Sequence, residues 1–192
     1  MRRRGWVAAA AVAAIGLLAV TACSKDDPGP KALVVGDSLT VGAEIGGLGR
    51  DDAITVEAEE GRTTEQGVAV AERSDVAGYE QVIVALGTND YLDDEAEFAP
   101  KIDAMMAALG PEVPVTWVNV DTGTAKLAPA ADGVNAALAA AAGRHGNLTI
   151  ADWDAYVNSR DDADDLRAGD GVHDSSEGYR VRAEWMADLA QG

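Results

Sequence analysis

The sequence is poor in cysteine, histidine, aromatic side chains and basic residues. Its 192 residues include one cysteine, two histidines and 5% aromatic residues, with 33 Asp and Glu against 15 Lys and Arg. A single cysteine excludes a disulfide within the chain and any zinc site built from several cysteines. The formal net charge of -18 argues against nucleic acid as a partner, because phosphate groups repel such a surface.

Apolar residues are plentiful, at 47% of the chain. This proportion suits a globular fold and excludes a wholly disordered or collagen-like chain. Because aromatic residues are few, the core must be built from Ala, Val, Leu and Ile. The length allows one domain with a short appendage.

The first 22 residues have the pattern of an export signal. Three arginines, Arg2–Arg4, precede an uncharged run from Gly5 to Val20, and Val20-Thr21-Ala22-Cys23 closes the run. The tetrapeptide resembles a bacterial lipobox, which implies cleavage before Cys23 and attachment of lipid to that residue. An ordinary signal peptide with an incidental cysteine and an uncleaved, short membrane helix are the alternatives. We expect a signal peptide over 1–22 and a lipid-anchored protein on the extracytoplasmic face of the cell membrane.

A short tether is expected after the signal. Residues 23–30 comprise the lipidated Cys23 and the segment Ser24 to Pro30, whose two prolines and one glycine disfavour a helix. The folded domain is therefore expected over residues 31–192.

Five short apolar runs predict strands. They are Ala32–Val35, Ile54–Val56, Gln81–Leu86, Val113–Val120 and Leu148–Ile150. The third run shows no polar alternation, as expected of a strand that is covered on both faces in a parallel sheet.

Segments of helical length alternate with these runs. Thr63 and Gln66 fit a capping box that opens one helix, and Asp174 and Glu177 fit one that opens the last, which ends near Leu189. Two more helices are predicted over Glu95–Leu109 and Ala130–Ala142. This alternation predicts an α/β fold, a three-layer sandwich around a five-stranded parallel sheet.

Four polar blocks stand at strand ends or before the last helix, where sheets of this kind bind ligands. They are Gly36-Asp37-Ser38-Leu39, Gly61-Arg62, Gly87-Thr88-Asn89-Asp90 and Asp170-Gly171-Val172-His173. In identity and order they resemble the blocks of the SGNH (GDSL) hydrolase family, and the resemblance spans nearly the whole chain from Lys31 onward. It implies a flavodoxin-like SGNH hydrolase fold over residues 31–192.

The resemblance also implies a mechanism. Ser38 would be the nucleophile, His173 the general base and Asp170 the carboxylate that orients the histidine. The backbone N–H groups of Ser38 and Gly61 and the side-chain amide of Asn89 would form the oxyanion hole. A serine hydroxyl needs a base to become a good nucleophile, and fixed N–H donors stabilise the charge that develops on an attacked ester carbonyl. Since this mechanism requires no metal and no cofactor, we expect none.

Each block has a plainer interpretation when taken alone. Ser38 could be an N-cap, Asn89 with Asp90 a turn, and His173 a surface histidine. The four blocks together favour the catalytic interpretation.

Several other residues receive a structural interpretation. Asp37 is expected to hydrogen bond within its loop, His145 to lie at a helix end and Trp117 to lie in the core. The acidic run Asp161–Asp165 lacks the glycine and glutamate of an EF-hand, so we expect a solvated loop. Gly67 is an alternative to Gly61 as an oxyanion donor, but it falls inside a predicted helix.

A second resemblance concerns the reaction. Val118-Asn119-Val120, Asn135 and Asp152-Trp153, with the Asp170–His173 block, resemble extracytoplasmic SGNH domains attached to membrane acyltransferases, which acetylate surface sugars. Residues 31–192 contain no second long apolar run for such a membrane domain. The segment Asp121–Pro129 also lacks the aromatic residue typical of those domains.

We therefore favour hydrolysis of short-chain acyl esters, including O-acetyl groups of cell-envelope sugars. Acyl transfer to envelope glycans and a non-catalytic envelope binding lipoprotein are the alternatives. The expected partners are a small ester or an acylated glycan and, through lipid on Cys23, the membrane. We expect a monomer.

Overall fold

A parallel sheet of five strands forms the centre of the molecule. The computed structural model describes residues 31–50 and 52–192, and the predicted signal peptide and tether lie outside them. The strands are β1 (Ala32–Gly36), β2 (Ile54–Ala58), β3 (Gln81–Ala85), β4 (Val115–Val118) and β5 (Leu148–Ala151). Their order across the sheet is β2-β1-β3-β4-β5, and every neighbouring pair is parallel.

Helices cover both faces of the sheet. They are α1 (Ser38–Gly46), α2 (Thr64–Arg73), α3 (Glu95–Leu109), α4 (Ala128–Ala142), α5 (Trp153–Asn158) and α6 (Ser176–Gln191). Helices α2, α3 and α4 pack side by side on one face, whereas α1 packs with α6 on the other. The predicted three-layer α/β sandwich is confirmed.

Strand β1 shows why the sheet is buried on both faces. All five of its residues are buried. Leu33 and Val35 point into the core beneath α2, α3 and α4, and Ala32 and Val34 point into the core beneath α1, α5 and α6. Because side chains alternate along a strand, a run with apolar residues at every position can serve two cores at once.

The structure corrects three predicted boundaries. Strand β4 is shorter than the predicted run Val113–Val120, although both terminal valines are buried. Helix α4 begins at Ala128, before the predicted start, with Pro129 in its first turn, where proline is tolerated. Helix α6 does not open on Asp174: its N-cap is Ser175, whose side chain accepts a hydrogen bond from the backbone N–H of Gly178.

The predicted capping box at the start of α2 is confirmed. The side chain of Thr63 accepts from the backbone N–H of Gln66, and the Gln66 side chain accepts from the backbone N–H of Thr63. These two bonds fix the direction in which the chain leaves the loop after β2.

The strand order places a crevice at the carboxyl edge of the sheet. The chain moves from β1 outward to β2 and then returns to pair β3 on the other side of β1. Loops that follow β1 and β3 therefore diverge at this point, and ligands bind in such crevices in open α/β sheets. Within the described ranges, no helix has the length and apolar character needed to cross a membrane.

Candidate active site

Ser38 is held at the junction of β1 and α1. The side chain of Asp37 is the N-cap of α1 and accepts from the backbone N–H of Leu39 at 3.0 Å. Gly36 is required because a Cβ there would lie 2.0 Å from Oγ1 of Thr40. Ser38 is thus the first residue of a helix, where backbone N–H groups lack partners within the helix.

The predicted triad residues are in hydrogen-bond contact. Oγ of Ser38 lies 3.1 Å from Nε2 of His173, across 135 positions of sequence. On the other side of the ring, Nδ1 of His173 lies 2.7 Å from Oδ2 of Asp170. An ionised carboxylate can only accept, so Nδ1 carries the proton and Nε2 is free to accept from the serine hydroxyl.

Asp170 is held in its ionised form by three donors. Its Oδ1 accepts from the backbone N–H groups of His173 and Val172, both at 2.9 Å. The bond from the His173 backbone contributes most, and with the imidazole and the Val172 N–H it holds the pKa of Asp170 well below its usual range. Hydrogen bonds to the charged form thus keep a carboxylate beside the imidazole.

The loop that carries Asp170 and His173 is tied to its surroundings. The carbonyl of His173 accepts from the backbone N–H of Ala168 at 2.8 Å. The carbonyl of Gly171 accepts from the hydroxyl of Thr124 at 2.8 Å. These bonds hold the imidazole in place from both sides of the loop.

A buried ion pair fixes the start of α6 behind the histidine. Nε of Arg182 lies 2.6 Å from Oδ2 of Asp174, and both side chains are less than 8% exposed. The guanidinium of Arg182 also lies over the ring of Trp153, 4.2 Å from its centroid. A buried charge needs such partners, so the residue after His173 is anchored to the body of the protein.

The three predicted oxyanion donors lie along one cleft. Gly61 sits in a turn after β2 with φ of 74°, a conformation that favours glycine. The backbone N–H groups of Ser38 and Gly61 donate to no acceptor in the part of the chain that the structure describes. The amide of Asn89 lies in the turn Thr88–Asp90, after β3, and donates to the carbonyl of Arg62 at 3.0 Å.

The cleft is open, with an apolar wall. Its volume is about 430 Å³. Along α1, Ser38, Val41, Gly42 and Ile45 follow the i, i+3, i+4, i+7 spacing of one helix face, and all four line the cleft. The ring of Tyr179 completes this wall by packing so closely on Gly42 that a Cβ there would lie 2.0 Å from a ring carbon.

Asp37 is an unusual acid within this site. It is 1% exposed. Burial raises its pKa to about 6, against the lowering effects of the Leu39 N–H and the charges of Arg182 and His173. Its second oxygen lies 3.4 Å from Nδ2 of Asn89. The predicted hydrogen bonding of Asp37 within its own loop is present, and it extends to the β3 turn.

The residues of the second resemblance hold loops together next to the site. The side chain of Asn135 both accepts from and donates to the backbone of Val120, at 2.9 and 2.8 Å. Asn119 donates to Asp152 at 2.8 Å and accepts from the backbone N–H of Asp154 at 2.9 Å. None of these side chains lines the cleft around Ser38.

The remaining predicted residues lie away from the cleft. Trp117 is fully buried in the core, and Gly67 lies within α2 with no room for a Cβ beside Leu86. His145 lies beyond the end of α4, with Nε2 2.7 Å from Asp103. The acidic run Asp161–Asp165 forms turns without regular secondary structure. Among the residues that the structure describes, no group of three or more His, Cys, Asp or Glu side chains is arranged to hold a metal ion.

The sequence placed Arg62 beside Gly61 but indicated no role for its side chain, and it indicated neither Tyr179 nor the apolar wall. The wall could have been found by extending helical spacing from Ser38, since Val41 and Ile45 lie three and seven residues on. Arg62 is 4% exposed, and no local pattern signals its burial.

Comparison with known proteins identifies the fold. No protein-family model matches the chain, and no curated protein matches it significantly. The structure is similar to the C-terminal catalytic domain of Streptococcus pneumoniae peptidoglycan O-acetyltransferase A, solved with a methylsulfonyl adduct. The TM-score is 0.68 at 17% identity, over 85% of this chain and 93% of that one.

Two further structures support the same assignment. A lipase/acylhydrolase from Enterococcus faecalis gives a TM-score of 0.66 at 19% identity, over 84% of this chain and 96% of that one. A member of the lipolytic G-D-S-L family from Veillonella parvula gives 0.66 at 19% identity, over 84% and 98%. The chain therefore has the SGNH (GDSL) hydrolase fold.

Proposed function

We propose that this protein is a serine esterase that acts outside the cytoplasm on short-chain acyl esters, including O-acetyl groups of cell-envelope sugars. The observation that carries the proposal is the hydrogen-bonded chain from Ser38 through His173 to Asp170 at the edge of an open cleft. The similarity to acylhydrolases is consistent with it.

The first half of the reaction forms an acyl-enzyme. Nε2 of His173 takes the proton of the Ser38 hydroxyl as its oxygen attacks the ester carbonyl. Negative charge moves to the carbonyl oxygen, which the N–H groups of Ser38, Gly61 and Asn89 stabilise. The Asn89 amide keeps its bond to the carbonyl of Arg62 and exchanges its longer contact with Asp37, at 3.4 Å, for the oxyanion. The tetrahedral intermediate collapses, the alcohol leaves with the proton from His173, and the acyl group remains on Ser38.

The second half releases the acid. A water molecule attacks the acyl-Ser38 ester while Nε2 of His173 accepts its proton. As the second tetrahedral intermediate collapses, Nε2 of His173 gives the proton to the Ser38 oxygen, and a carboxylic acid is released. Asp170 stays ionised throughout and stabilises the imidazolium that forms in each half.

The form of the cleft favours small acyl groups on a bulky alcohol. Its wall of Val41, Ile45 and Tyr179 is apolar but open, and the Ile45 side chain is 77% exposed. An open wall can contact a few methylene groups, but it cannot enclose a long chain. The opening leaves room for a polymer to extend into solvent.

The catalytic assignment has a direct test. Residues 31–192, which include the whole sheet and both cores, should hydrolyse 4-nitrophenyl acetate, and Ser38→Ala should abolish this activity. A fluorophosphonate probe should label Ser38 in the unaltered protein alone. Equal hydrolysis by the variant, or failure of the probe to label Ser38, would favour a non-catalytic binding protein.

Anchoring through Cys23 is a separate part of the proposal. The lipobox-like tetrapeptide supports it, since the single cysteine of the chain occupies the position that lipidation requires. Cells fed a clickable palmitate analogue should label the membrane-bound protein, and Cys23→Ser should remove the label. Persistent labelling of the variant would refute the anchor.

Acyl transfer to a glycan is the second candidate. The similarity to a peptidoglycan O-acetyltransferase domain favours it. A sugar hydroxyl would then replace water in the second half of the reaction. Supplying an acyl donor with chitooligosaccharides and analysing the products by mass spectrometry separates the candidates, because only a transferase yields acylated sugar.

A further inference from the structure

Arg62 is a buried cation whose main partners are neutral. Its side chain is 5% exposed, and its carboxylate partner, Glu59 at 3.2 Å, is 74% exposed. An ion pair with so exposed an acid contributes little. The guanidinium also donates to two backbone carbonyls, that of Gly36 at 3.0 Å and that of Glu57. Backbone carbonyls thus provide most of the compensation for burying this charge.

These carbonyls mark the carboxyl ends of two neighbouring strands. Gly36 is the last residue of β1 and precedes Ser38 by two positions, whereas Glu57 is the next-to-last residue of β2. Both bonds are donated by Nη1, whose two hydrogens have fixed directions in the guanidinium plane, so one nitrogen bridges both carbonyls. Arg62 therefore fixes the spacing of the two strand ends from which the cleft is built.

The backbone of Arg62 reaches the other donors. Its amide group follows Gly61 directly, and its carbonyl accepts from Nδ2 of Asn89 at 3.0 Å. This one residue is bonded to, or adjacent to, the segments that carry all three oxyanion donors: Ser38 through Gly36, Gly61 through the peptide bond, and Asn89 through the hydrogen bond.

We propose that Arg62 is a positioning residue that sets the geometry of the oxyanion hole. The inference rests on the proposed function, since an oxyanion hole has meaning only for an acyl-transfer reaction. Arg62 touches neither the substrate nor the reacting atoms. It acts by keeping three donors from three loops at the distances that a tetrahedral oxyanion requires.

The test compares Arg62→Lys, which keeps the charge but places its nitrogen one bond short of the position of Nη1 and lacks the planar guanidinium, with Arg62→Met, which keeps only the apolar stem. Loss of one oxyanion donor typically lowers kcat about 10²–10³-fold. Partial misplacement of the donors should therefore lower kcat for 4-nitrophenyl acetate about 10–100-fold in both variants, with KM changed less than about threefold. Arg73→Lys is the matched control, because Arg73 is exposed, donates to the carbonyl of Ala69 and does not line the cleft. This variant should match the unaltered protein.

A double-mutant cycle separates positioning from general support of the fold. If Arg62 acts through the hole, Arg62→Lys should lower kcat much less in an Asn89→Ala background than in the unaltered protein. Equal losses in both backgrounds would overturn the proposal. So would full activity of Arg62→Lys, or loss of the native circular-dichroism spectrum in both Arg62 variants.

The two proposals fail in different ways. If the unaltered protein hydrolyses no ester and Ser38 is not labelled by the probe, the proposed function falls and the role of Arg62 falls with it. If the unaltered protein is active and Arg62→Lys is equally active, only the role of Arg62 falls.

Discussion

Because Asp37 is a buried acid, its protonation at low pH should stabilise the folded protein, which is the opposite of the effect of most carboxylates. Ordinary carboxylates in folded proteins lose stabilising bonds as pH falls, but the pKa of Asp37 is raised by burial from 3.8 to about 6. The folded state therefore prefers the protonated acid. The stabilisation that the protonated Asp37 carboxyl gives the folded state is complete below about pH 4 and is lost as the pH rises through about 6.

The size of the effect follows from the shift in pKa. A difference of about 2 units corresponds to about 3 kcal/mol between the acid and alkaline limits. Between pH 7 and pH 5, linkage predicts that this group adds about 1 kcal/mol to the free energy of unfolding. Asp37→Asn keeps an acceptor for the Leu39 N–H and removes the titration, so the variant should lack this gain.

Urea unfolding at pH 5 and pH 7, followed by circular dichroism, measures the difference. Lowering the pH from 7 to 5 should raise the free energy of unfolding of the unaltered protein by about 1 kcal/mol more than it raises that of Asp37→Asn. Asp94→Asn is the matched control, because Asp94 also caps a helix but is exposed. Equal pH responses of the unaltered protein and Asp37→Asn would refute the reasoning.

Three further predictions concern other parts of the site. Asp170→Asn should lower kcat about 10³–10⁴-fold, because an amide does not stabilise the imidazolium; steady-state kinetics measures this, and a loss below tenfold would contradict the role of the carboxylate. Arg182→Met should lower the free energy of unfolding by about 3–5 kcal/mol, since it leaves the Asp174 charge buried and unpaired. Urea unfolding checks it, and a change below about 1 kcal/mol would contradict the buried-pair account. Ile45→Ala should lower the ratio of kcat/KM for 4-nitrophenyl butyrate to that for the acetate about fourfold, if the side chain contacts one methylene group. An unchanged ratio would show that the acyl group lies elsewhere.

The strands could be predicted because a strand that is buried on both faces requires a run of consecutive apolar residues. Strand β1 and the last four residues of β3 are continuous apolar runs, and both strands pack against helices on either side. Burial is not the same as strand pairing, however. Val113 and Val120 are buried, yet both lie outside β4, so an apolar run overestimates the strand.

The residues brought together at the site could be predicted because parallel strands end at one edge. The segments with Ser38, Gly61 and Asn89 follow three such strands, and their convergence needs only the topology. The sequence does not indicate which side chains pair with each other. Asp174 is a residue type that commonly caps helices, but its side chain pairs with Arg182, and Ser175 caps α6 instead. The carbonyls that hold Arg62 belong to two strands, and no sequence pattern specifies them.

The direction of β1 has a consequence for where this protein could work. Lys31 precedes the amino end of β1, and Ser38 follows its carboxyl end. At the rise per residue of an extended chain, the two residues are about 20 Å apart, on opposite ends of the sheet. If the protein is anchored through Cys23, as proposed, the anchor joins the domain at the end of the sheet opposite the cleft. The cleft would then be on the side of the domain farthest from the point of attachment.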